Sequence, residues 1–263
     1  MAPSKIERQI WPVIVAHRGA SAAHPENTIE SFLAAIAEGA DMVELDVRLT
    51  ADEVPVVMHD LDVSRTTEGS GFVHQMSLKE LKRLDASGGR ARRSEIPTLR
   101  EALEALSGKV GLDIEIKNMP GEPSFDSPRE AAVEETLRLI EEAGFEGTLM
   151  VSSFNWLSIE RAKERSPDLP TGLITTADTD PWAALVYVRS KGHDVLLPQA
   201  AALLRAGEAF VEAAHGDGVR VGTWTVDDPQ TVERLFTMGV DAIATNDPAM
   251  GVPICARFRA RGG

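Results

Sequence analysis

The short connection between two strand-like segments near the N-terminus constrains the fold more than any other feature. Met42–Thr50 and Pro55–His59 are both rich in Val, Leu and Met, and only the four residues ADEV separate them. A parallel pairing needs a crossover of a dozen or more residues. The two segments are therefore predicted to form an antiparallel hairpin, even if the rest of the sheet is parallel.

Strand-like and helix-like segments alternate along the chain, which indicates a parallel sheet with crossover helices. The predicted strands are Val13–His17, Met42–Thr50, Pro55–His59, Val110–Lys117, Thr148–Ser153, Thr171–Thr175, Asp194–Pro198, Arg220–Val226 and Asp241–Thr245. The predicted helices include Thr28–Glu38, Ser77–Leu84, Leu99–Leu106, Arg129–Ala143, Trp156–Arg165, Pro181–Ser190, Ala206–His215 and Pro229–Met238.

Without the returning arm of the hairpin, eight strands remain, each followed by a helix or a helical candidate. This order and the length of 263 residues predict a (β/α)8 TIM barrel with a β-hairpin extension after strand 2. An open doubly wound sheet is the structural alternative. The segment 61–97 is too long for an ordinary connection and is predicted to form a small rim insertion. We expect residues 1–263 to form a single domain.

The first predicted helix has signals at both ends. Asn27, with Glu30 three residues later, suits a capping box, and Gly39 suits a C-terminal stop. On this interpretation Asn27 is an N-cap and has no part in catalysis.

Charge and composition limit the classes of partner. The formal net charge of −14 opposes binding to nucleic acid and to anionic membranes, and the only short basic run is GRARR at residues 89–93. A single cysteine, Cys255, excludes a disulfide scaffold and a thiolate zinc cluster. The N-terminal apolar run ends early at His17 and Arg18, unlike a signal peptide or a membrane span. We therefore expect a cytoplasmic protein with a small-molecule substrate; its oligomeric state stays open.

In a barrel of this type the chemistry lies where the strands end, at the C-terminal face. Side chains alternate between the two faces of a strand, so Glu44 and Asp46 share one face, and Asp113, Glu115 and Lys117 share another. The polar side chains predicted to converge at strand ends, together with the nearby tryptophan, are His17, Arg18, Glu44, Asp46, Asp113, Glu115, Lys117 and Trp224.

The hairpin adds a further residue to this group. If its turn is centred on Asp52 and Glu53, Asp46 lies opposite His59. Opposed residues point to the same face, with their Cβ atoms about 5 Å apart. A one-residue slip of register would change this pairing.

These residue types suit phosphoester hydrolysis. Carboxylates without cysteine ligands favour a hard divalent cation, Mg²⁺ or Ca²⁺. Two histidines beside that cation suit a general acid and a general base, and Arg18 and Lys117 suit a phosphate group. A network of salt bridges among the same residues is the alternative. For Asp113 we favour a structural role, as a buried partner of Lys117 or Arg18, over that of a fourth ligand.

Several segments resemble the ordered motifs of the glycerophosphodiester phosphodiesterases, bacterial type. They are AHRGASAAHPENT, ELDVRLTADEVPVVMHD, RTTEGSG, IPTLREAL, LDIEIK, SSFN, TWTVDD and GVDAIATNDP, which together run from about residue 13 to residue 248. The resemblance implies a TIM barrel that uses a divalent metal to hydrolyse glycerophosphodiesters to glycerol 3-phosphate and an alcohol.

The resemblance also implies roles for individual residues. It implies that the metal ligands are Glu44, Asp46 and Glu115, and that the acid/base pair is His17 and His59. It also implies that Arg18 and Lys117 bind the phosphate and that Trp224 packs against the glycerol moiety. One histidine assists attack of a glycerol hydroxyl on phosphorus, the other protonates the leaving alcohol, and water then opens a cyclic phosphate. Which histidine acts first stays open.

Three positions depart from the family pattern. Glu53 stands where the family commonly has Gly, Asp227 where Asn is usual, and Asn246 where Asp is common. The last two lie at the rim and would affect alcohol preference. Two other functions stay open: a phospholipase C- or D-like enzyme acting on lipids, and a barrel that binds phosphodiesters without catalysis.

Overall fold

The computed structural model describes residues 10–90 and 92–262, and this part of the chain contains nine strands and ten helices. The strands are β1 (Val13–His17), β2 (Met42–Leu49), β3 (Pro55–Val57), β4 (Gly111–Ile116), β5 (Leu149–Ser153), β6 (Thr171–Thr175), β7 (Val195–Pro198), β8 (Arg220–Thr223) and β9 (Ala242–Thr245). The helices are α1 (Ile29–Ala37), α2 (Leu78–Leu81), α3 (Leu99–Leu106), α4 (Ala131–Ala143), α5 (Trp156–Arg165), α6 (Pro181–Lys191), α7 (Ala200–Ala206), α8 (Glu208–Gly216), α9 (Pro229–Thr237) and α10 (Pro248–Gly262).

Eight of the strands close into a parallel barrel. The hydrogen-bonded order is β1-β9-β8-β7-β6-β5-β4-β2, and β1 also pairs with β2. An open sheet would leave an outer edge on both β1 and β2, so the closure excludes the doubly wound alternative. The barrel, with helices between its strands, confirms the TIM-barrel prediction, and β3 is the extra strand, paired antiparallel to β2.

The aliphatic faces of the strands point outward to the helices. Val43 and Leu45 of β2 pack in one cluster with Ile114 of β4, Phe32 of α1 and Leu103 of α3, and all five are completely buried. A similar cluster surrounds the other half of the barrel. Because side chains alternate along a strand, the acids between these aliphatic residues point into the barrel.

The hairpin forms as predicted, but its register is shifted by one residue. Val47 pairs with Val57 and Leu49 pairs with Pro55, so Asp46 is opposite Met58, whose N–H donates to the Asp46 carbonyl at 2.9 Å. The expected pairing of Asp46 with His59 was wrong. A hairpin register depends on turn geometry, and here the Glu53 N–H bonds to the Thr50 carbonyl with Glu53 in the left-handed region at φ 58°.

Asn27 is not the N-cap of α1. The cap is Thr28, whose hydroxyl accepts the Ser31 N–H, while Asn27 itself has φ 57° and is buried. Asn and Asp tolerate this left-handed conformation better than most residues. The capping-box interpretation was therefore wrong by one residue, and Asn27 is left with another role.

Two helices were not predicted, α7 and α10. In α7 only seven residues separate Gln199 from Gly207, which is too short for a clear helical period. In α10 the interior Pro253 removes a backbone donor and normally argues against a helix. Among the described residues, no helix combines the length and the apolar character that crossing a bilayer would require.

Residues 61–90 and 92–97 contain two 3₁₀ turns and α2. Val63, Val73, Leu81 and Ile96 are buried there, in a cluster that also includes Val56 of the hairpin. This segment has its own apolar support, which holds the loop after β3 against the barrel mouth.

Candidate active site

A group of three carboxylates lies inside the mouth of the barrel. Glu44 and Asp46 point inward from β2, and Glu115 points inward from β4, where it is in register with Asp46. One oxygen from each of the three lies within 4.8 Å of the others. All three are buried, with relative exposures of 5%, 0% and 6%. Such a group could bind a metal ion.

Two cationic side chains contact this acidic cluster. Lys117 Nζ lies 2.9 Å from Asp46 Oδ1 and also donates to Glu115 Oε1. Arg18 Nε lies 3.3 Å from Asp46 Oδ2, and the Arg18 N–H donates to Glu44 Oε2 at 2.9 Å. Burial works against the charge on Asp46, but Lys117 and Arg18 nevertheless hold its pKa far below the usual range.

The other two carboxyls respond in the opposite direction. Burial raises the pKa of Glu115 to about 7, and Lys117 only partly opposes this. Burial and the charge of Asp46 raise the pKa of Glu44 well above its usual value. Glu44 Oε1 is buried and has no hydrogen-bond partner. A buried carboxylate oxygen normally has a partner, so this atom is free to bind a cation.

Arg18 reaches the acids because of a tight turn at the end of β1. Arg18 has φ 58°, and Gly19 follows with φ 85°. A Cβ atom on Gly19 would stand 2.4 Å from Ser31 Oγ, so only glycine fits there. The turn is anchored by the Asn27 N–H, which donates to the Arg18 carbonyl at 3.1 Å.

The role of Asn27 becomes clear at this turn. Its Nδ2 donates to Asp46 Oδ2 at 2.7 Å, and its Oδ1 accepts the Asp46 N–H at 3.3 Å. A buried donor to a carboxylate stabilises the charged form. Sequence analysis missed this contact, for which the only local signal was an asparagine directly before the true capping threonine.

The two predicted catalytic histidines lie at the mouth and have different partners. His17 Nδ1 is 2.8 Å from Asn246 Oδ1, whereas His59 Nδ1 is 2.6 Å from Asp60 Oδ1. Burial and the charge of Arg18 lower the pKa of His17 to about 4. Burial also lowers the pKa of His59, although Asp46 acts against it. Burial therefore favours the neutral form of both rings, while the hydrogen bond to Asp60 favours a proton on His59.

A chain of ion pairs crosses the rim and joins the two histidine loops. Arg65 binds Asp60, and it also donates to both oxygens of Glu26 at 2.8 and 2.7 Å. Glu26 in turn accepts from Arg18 Nη1 at 2.9 Å. Glu26 had no predicted function, and neither did Asp60 or Arg65. The available signals were the position of Asp60 directly after His59 and that of Arg65 at the start of the RTTEGSG motif.

The partner expected for Asp113 was wrong, although its burial and its hydrogen bond agree with a structural role. Its Oδ1 accepts from Ser152 Oγ of the neighbouring strand at 2.8 Å, while Lys117 and Arg18 pair with other acids. Burial raises the pKa of Asp113 to about 7. Ser152 and Asp113 point into the barrel from adjacent strands, and no pattern in either strand alone predicts this contact.

The charged residues form one wall of a cavity of about 220 Å³. We define the charged wall as five lining residues together with Asp46, which contacts two of them: His17, Arg18, Glu44, Glu115 and Lys117, and Asp46 against Arg18 and Lys117. Facing it is the apolar wall, formed by Phe154, Ile174, Leu197, Trp224, Ala242 and Ala244. Trp224 Nε1 donates to the Leu197 carbonyl at 3.0 Å, and the Phe154 and Trp224 rings meet edge to face with centroids 5.2 Å apart.

The structure therefore brings together the eight residues to which the resemblance assigns roles: His17, Arg18, Glu44, Asp46, His59, Glu115, Lys117 and Trp224. Seven of them line the cavity, and Asp46 lies in the acidic cluster. The fold and the site together define a class: a (β/α)8 barrel with a pocket lined by buried acids, two basic side chains, two histidines and apolar residues.

Comparison with known proteins identifies the family within this class. The sequence model of the glycerophosphoryl diester phosphodiesterase family matches residues 17–250. A glycerophosphodiester phosphodiesterase of Caldanaerobacter subterraneus is 37% identical over 251 residues, covering 90% of this chain and 94% of that protein. Another, of Bacillus altitudinis, is 32% identical and covers 92% of this chain and 97% of that protein. The chain therefore belongs to the glycerophosphoryl diester phosphodiesterase family, whose members are hydrolases.

Solved structures agree with this assignment. A phosphodiesterase of Oleispira antarctica, in complex with the product sn-glycerol-3-phosphate, superposes with a TM-score of 0.85. It is 29% identical and covers 96% of this chain and 99% of its own. A glycerophosphodiester phosphodiesterase of Thermotoga maritima has a TM-score of 0.75 at 26% identity, covering 92% of this chain and 97% of its own.

Proposed function

We propose that this protein hydrolyses glycerophosphodiesters to sn-glycerol 3-phosphate and an alcohol, with one divalent cation and with His17 and His59 as acid and base. The observation that carries this proposal is the arrangement of three buried acids, the basic side chains Arg18 and Lys117 and two histidines around one cavity. The complex of the Oleispira relative with sn-glycerol-3-phosphate supports the choice of product.

The charge of the site supports a divalent cation. As carboxylates, the three acids of the charged wall carry one more negative charge than Arg18 and Lys117 balance. Adding a divalent cation reverses the sign and leaves one positive charge, which matches the single negative charge of a phosphodiester. Buried charges are costly unless they are paired, so a neutral total favours the loaded complex.

The donor set fits a hard cation. Glu44, Asp46 and Glu115 offer only oxygen atoms, and Glu44 Oε1 has no other partner. Oxygen ligands of this kind suit both Mg²⁺ and Ca²⁺. A cation bound there would polarise the phosphoryl oxygens and stabilise the charge of the transition state.

The side chains of the cavity provide the remaining functions. We assign phosphate binding to Arg18 and Lys117, which lie among the acids and line the pocket. Trp224, with Phe154 against its ring, forms a flat apolar surface for the carbon side of the glycerol moiety. His17 and His59 line the same cavity from separate loops, which allows them to act on two different oxygens.

The two histidines exchange protons in each half of the proposed reaction. One takes the proton of a glycerol hydroxyl as that oxygen bonds to phosphorus. The other, which must start in its protonated form, donates a proton to the leaving alcohol as the bond from that oxygen to phosphorus breaks. Water then opens the cyclic phosphate, and the two histidines return their protons in the reverse sense. Transfers of this type contribute about 10²- to 10⁴-fold in rate.

The remaining expectations concern the surroundings. The net charge of −14 supports a site for a small molecule and not for nucleic acid or an anionic membrane. We also propose a cytoplasmic location and a role in glycerol and lipid metabolism.

The test follows the release of sn-glycerol 3-phosphate from glycerophosphocholine and glycerophosphoethanolamine, with and without EDTA. We expect EDTA to abolish activity and Mg²⁺ or Ca²⁺ to restore it. His17→Ala should reduce kcat by about 10²- to 10⁴-fold. His24→Ala is the matched control, since His24 contacts Glu30 on the rim, outside the cavity, and it should keep full activity.

Three results would count against the proposal. Activity that survives EDTA would refute the requirement for a metal. A wild-type kcat in His17→Ala would refute the acid/base role of His17. Faster release from phospholipid vesicles than from the water-soluble diesters would favour the phospholipase-like alternative.

A further inference from the structure

The contact between His17 and Asn246 joins two residues that are far apart in sequence. His17 Nδ1 lies 2.8 Å from Asn246 Oδ1, across the closing seam between β1 and β9. The His17 ring also lines the main cavity. With Nδ1 held at the rim side of the ring, Nε2 is the nitrogen that remains for contact with a substrate.

Asp227 determines how the Asn246 amide is oriented. Asn246 Nδ2 lies 2.6 Å from Asp227 Oδ2, and the Asn246 backbone N–H donates to Asp227 Oδ1 at 2.7 Å. Asp227 Oδ1 also accepts from Thr245 Oγ1 at 2.9 Å. A carboxylate can only accept hydrogen bonds, so the amide NH₂ must face Asp227 and the amide oxygen must face His17.

This orientation determines the position of the histidine proton. The Asn246 oxygen is an acceptor, so His17 Nδ1 must be the donor. Ser21 Oγ lies 2.9 Å from the same oxygen and 2.7 Å from the His17 carbonyl, and its one proton is available to either acceptor. The contacts of Asp227 still turn the Asn246 amide oxygen toward His17. The neutral ring therefore carries its proton on Nδ1 and a lone pair on Nε2, as a histidine that takes up protons at Nε2 requires.

We propose that Asp227 is a positioning residue, which acts through Asn246 to hold neutral His17 as the Nδ1–H tautomer with Nε2 available to the cavity. The proposal rests on the proposed acid/base role of His17. Asp227 lies on the loop after β8 and is not among the residues that line the main cavity, whereas His17, at the end of β1, is.

The first test removes the carboxylate. Asp227→Ala should reduce kcat by about tenfold or more, as loss of a group that orients a functional histidine often does, and should leave KM nearly unchanged. Asp228→Asn is the matched control. Asp228 is the next residue and caps α9 through the Thr231 N–H, and asparagine preserves such a cap. The control should keep the wild-type kcat.

The second test exchanges the two side chains. Asn246→Asp alone places two carboxylates against each other and should reduce kcat by about tenfold or more, because like charges at this distance repel. In the double variant Asp227→Asn with Asn246→Asp, an amide again donates to a carboxylate, and an oxygen of the new carboxylate replaces the Asn246 amide oxygen as the acceptor for His17. We expect the double variant to recover to within about threefold of the wild-type kcat. A double variant no better than Asn246→Asp would overturn the proposal.

The tautomer is also measurable without turnover. Long-range ¹H–¹⁵N NMR spectra, assigned by comparison with His17→Ala, distinguish a proton on Nδ1 from one on Nε2. We expect Nδ1–H in the wild type and a mixture of tautomers in Asp227→Ala. An unchanged tautomer in Asp227→Ala would overturn the proposal, and so would a mixture accompanied by wild-type kcat.

The NMR result separates this proposal from the proposed function. Full activity in His17→Ala would refute the acid/base role of His17. The effect of Asp227 on its tautomer would still be observed in that case.

Discussion

The charged wall and the apolar wall lie on one barrel with the same backbone geometry but are held in place differently. On the charged wall, named donors and acceptors specify each side chain, such as Lys117 on Asp46 and Asn27 on the same carboxylate. On the apolar wall, small residues such as Ala242 and Ala244 leave space, and Trp224 has one polar contact, to a backbone carbonyl. We therefore expect the charged wall to control reactivity and the apolar wall to control which groups fit.

The largest expected effect comes from the charged wall. Glu115→Gln removes a proposed cation ligand and should reduce kcat/KM by about a thousandfold, since a bound cation contributes several kcal/mol. Asp113→Asn, two residues deeper on the same face of β4, should change kcat/KM by less than about fivefold, because Asp113 is occupied by Ser152. Steady-state kinetics on both variants checks the pair; equal losses would mean that the cluster is not specific to its three acids.

The apolar wall should respond in binding and not in chemistry. Trp224→Ala removes the flat surface opposite the acids, and we expect KM to rise about tenfold while kcat changes by less than about threefold. Trp182→Ala is the control, because Trp182 lies on the outside of the barrel and is 44% exposed. A fall in kcat without a change in KM would show that Trp224 acts on the reacting atoms, against the division into two walls.

Metal and pH should act on the charged wall together. Burial raises the pKa of Glu115 from an ordinary 4.5 to about 7 in the metal-free folded protein. Between these two pH values the folded protein therefore keeps a proton on Glu115, whereas the unfolded chain has lost it. The contribution of Glu115 to stability is thus present below about pH 4.5 and is lost as pH rises to about 7. Bound cation should displace that proton.

The gap in melting temperature between samples with Mg²⁺ or Ca²⁺ and samples with EDTA is therefore expected to widen by a few degrees between pH 5.5 and 7.5. Thermal melts at several pH values measure it. Glu115→Gln provides the control, since it cannot titrate at this position and should show a smaller widening. A gap that narrows with pH would contradict the raised pKa.

The smallest effect is expected at the rim. Arg65→Gln breaks the link between Asp60 and Glu26, but the Arg65 side chain is 49% exposed, and exposed ion pairs contribute little. We expect kcat to fall by only about two- to fivefold. Arg129→Gln, which breaks an exposed pair with Glu53, should have no effect. His59→Ala, measured in parallel, gives the effect of losing the histidine itself. An equally large loss in Arg65→Gln would show that Arg65 is needed to position His59 through Asp60.

The fold was largely predictable because its signals are local. The spacing between β2 and β3 required a hairpin, and the alternation of acids with aliphatic residues in β2 and β4 predicted which side chains point inward. The register was not predictable, since one left-handed residue at Glu53 changes the turn and moves Met58 to the position expected for His59.

The candidate site was predictable in its membership but not in its contacts. Parallel strands bring their C-terminal ends to one face, so Glu44, Asp46 and Glu115 had to be near one another. The partner of Asp113 was missed because Ser152 comes from the next strand. Asn27 was misassigned because asparagine and threonine are both common N-cap residues and Thr28, the true cap, directly follows it.

The sequence by itself determined the order of the strands and of most helices, the inward faces of β2 and β4, the set of charged residues at the barrel mouth and the resemblance to a family. These properties depend on neighbours along the chain. Only the tertiary structure decided that Asn246 and Asp227 support His17, and that Glu26 and Arg65 connect Arg18 to Asp60. Hydrogen bonds require positions accurate to a few tenths of an ångström, and closure of the barrel sets those positions between segments more than 200 residues apart, as for His17 and Asn246.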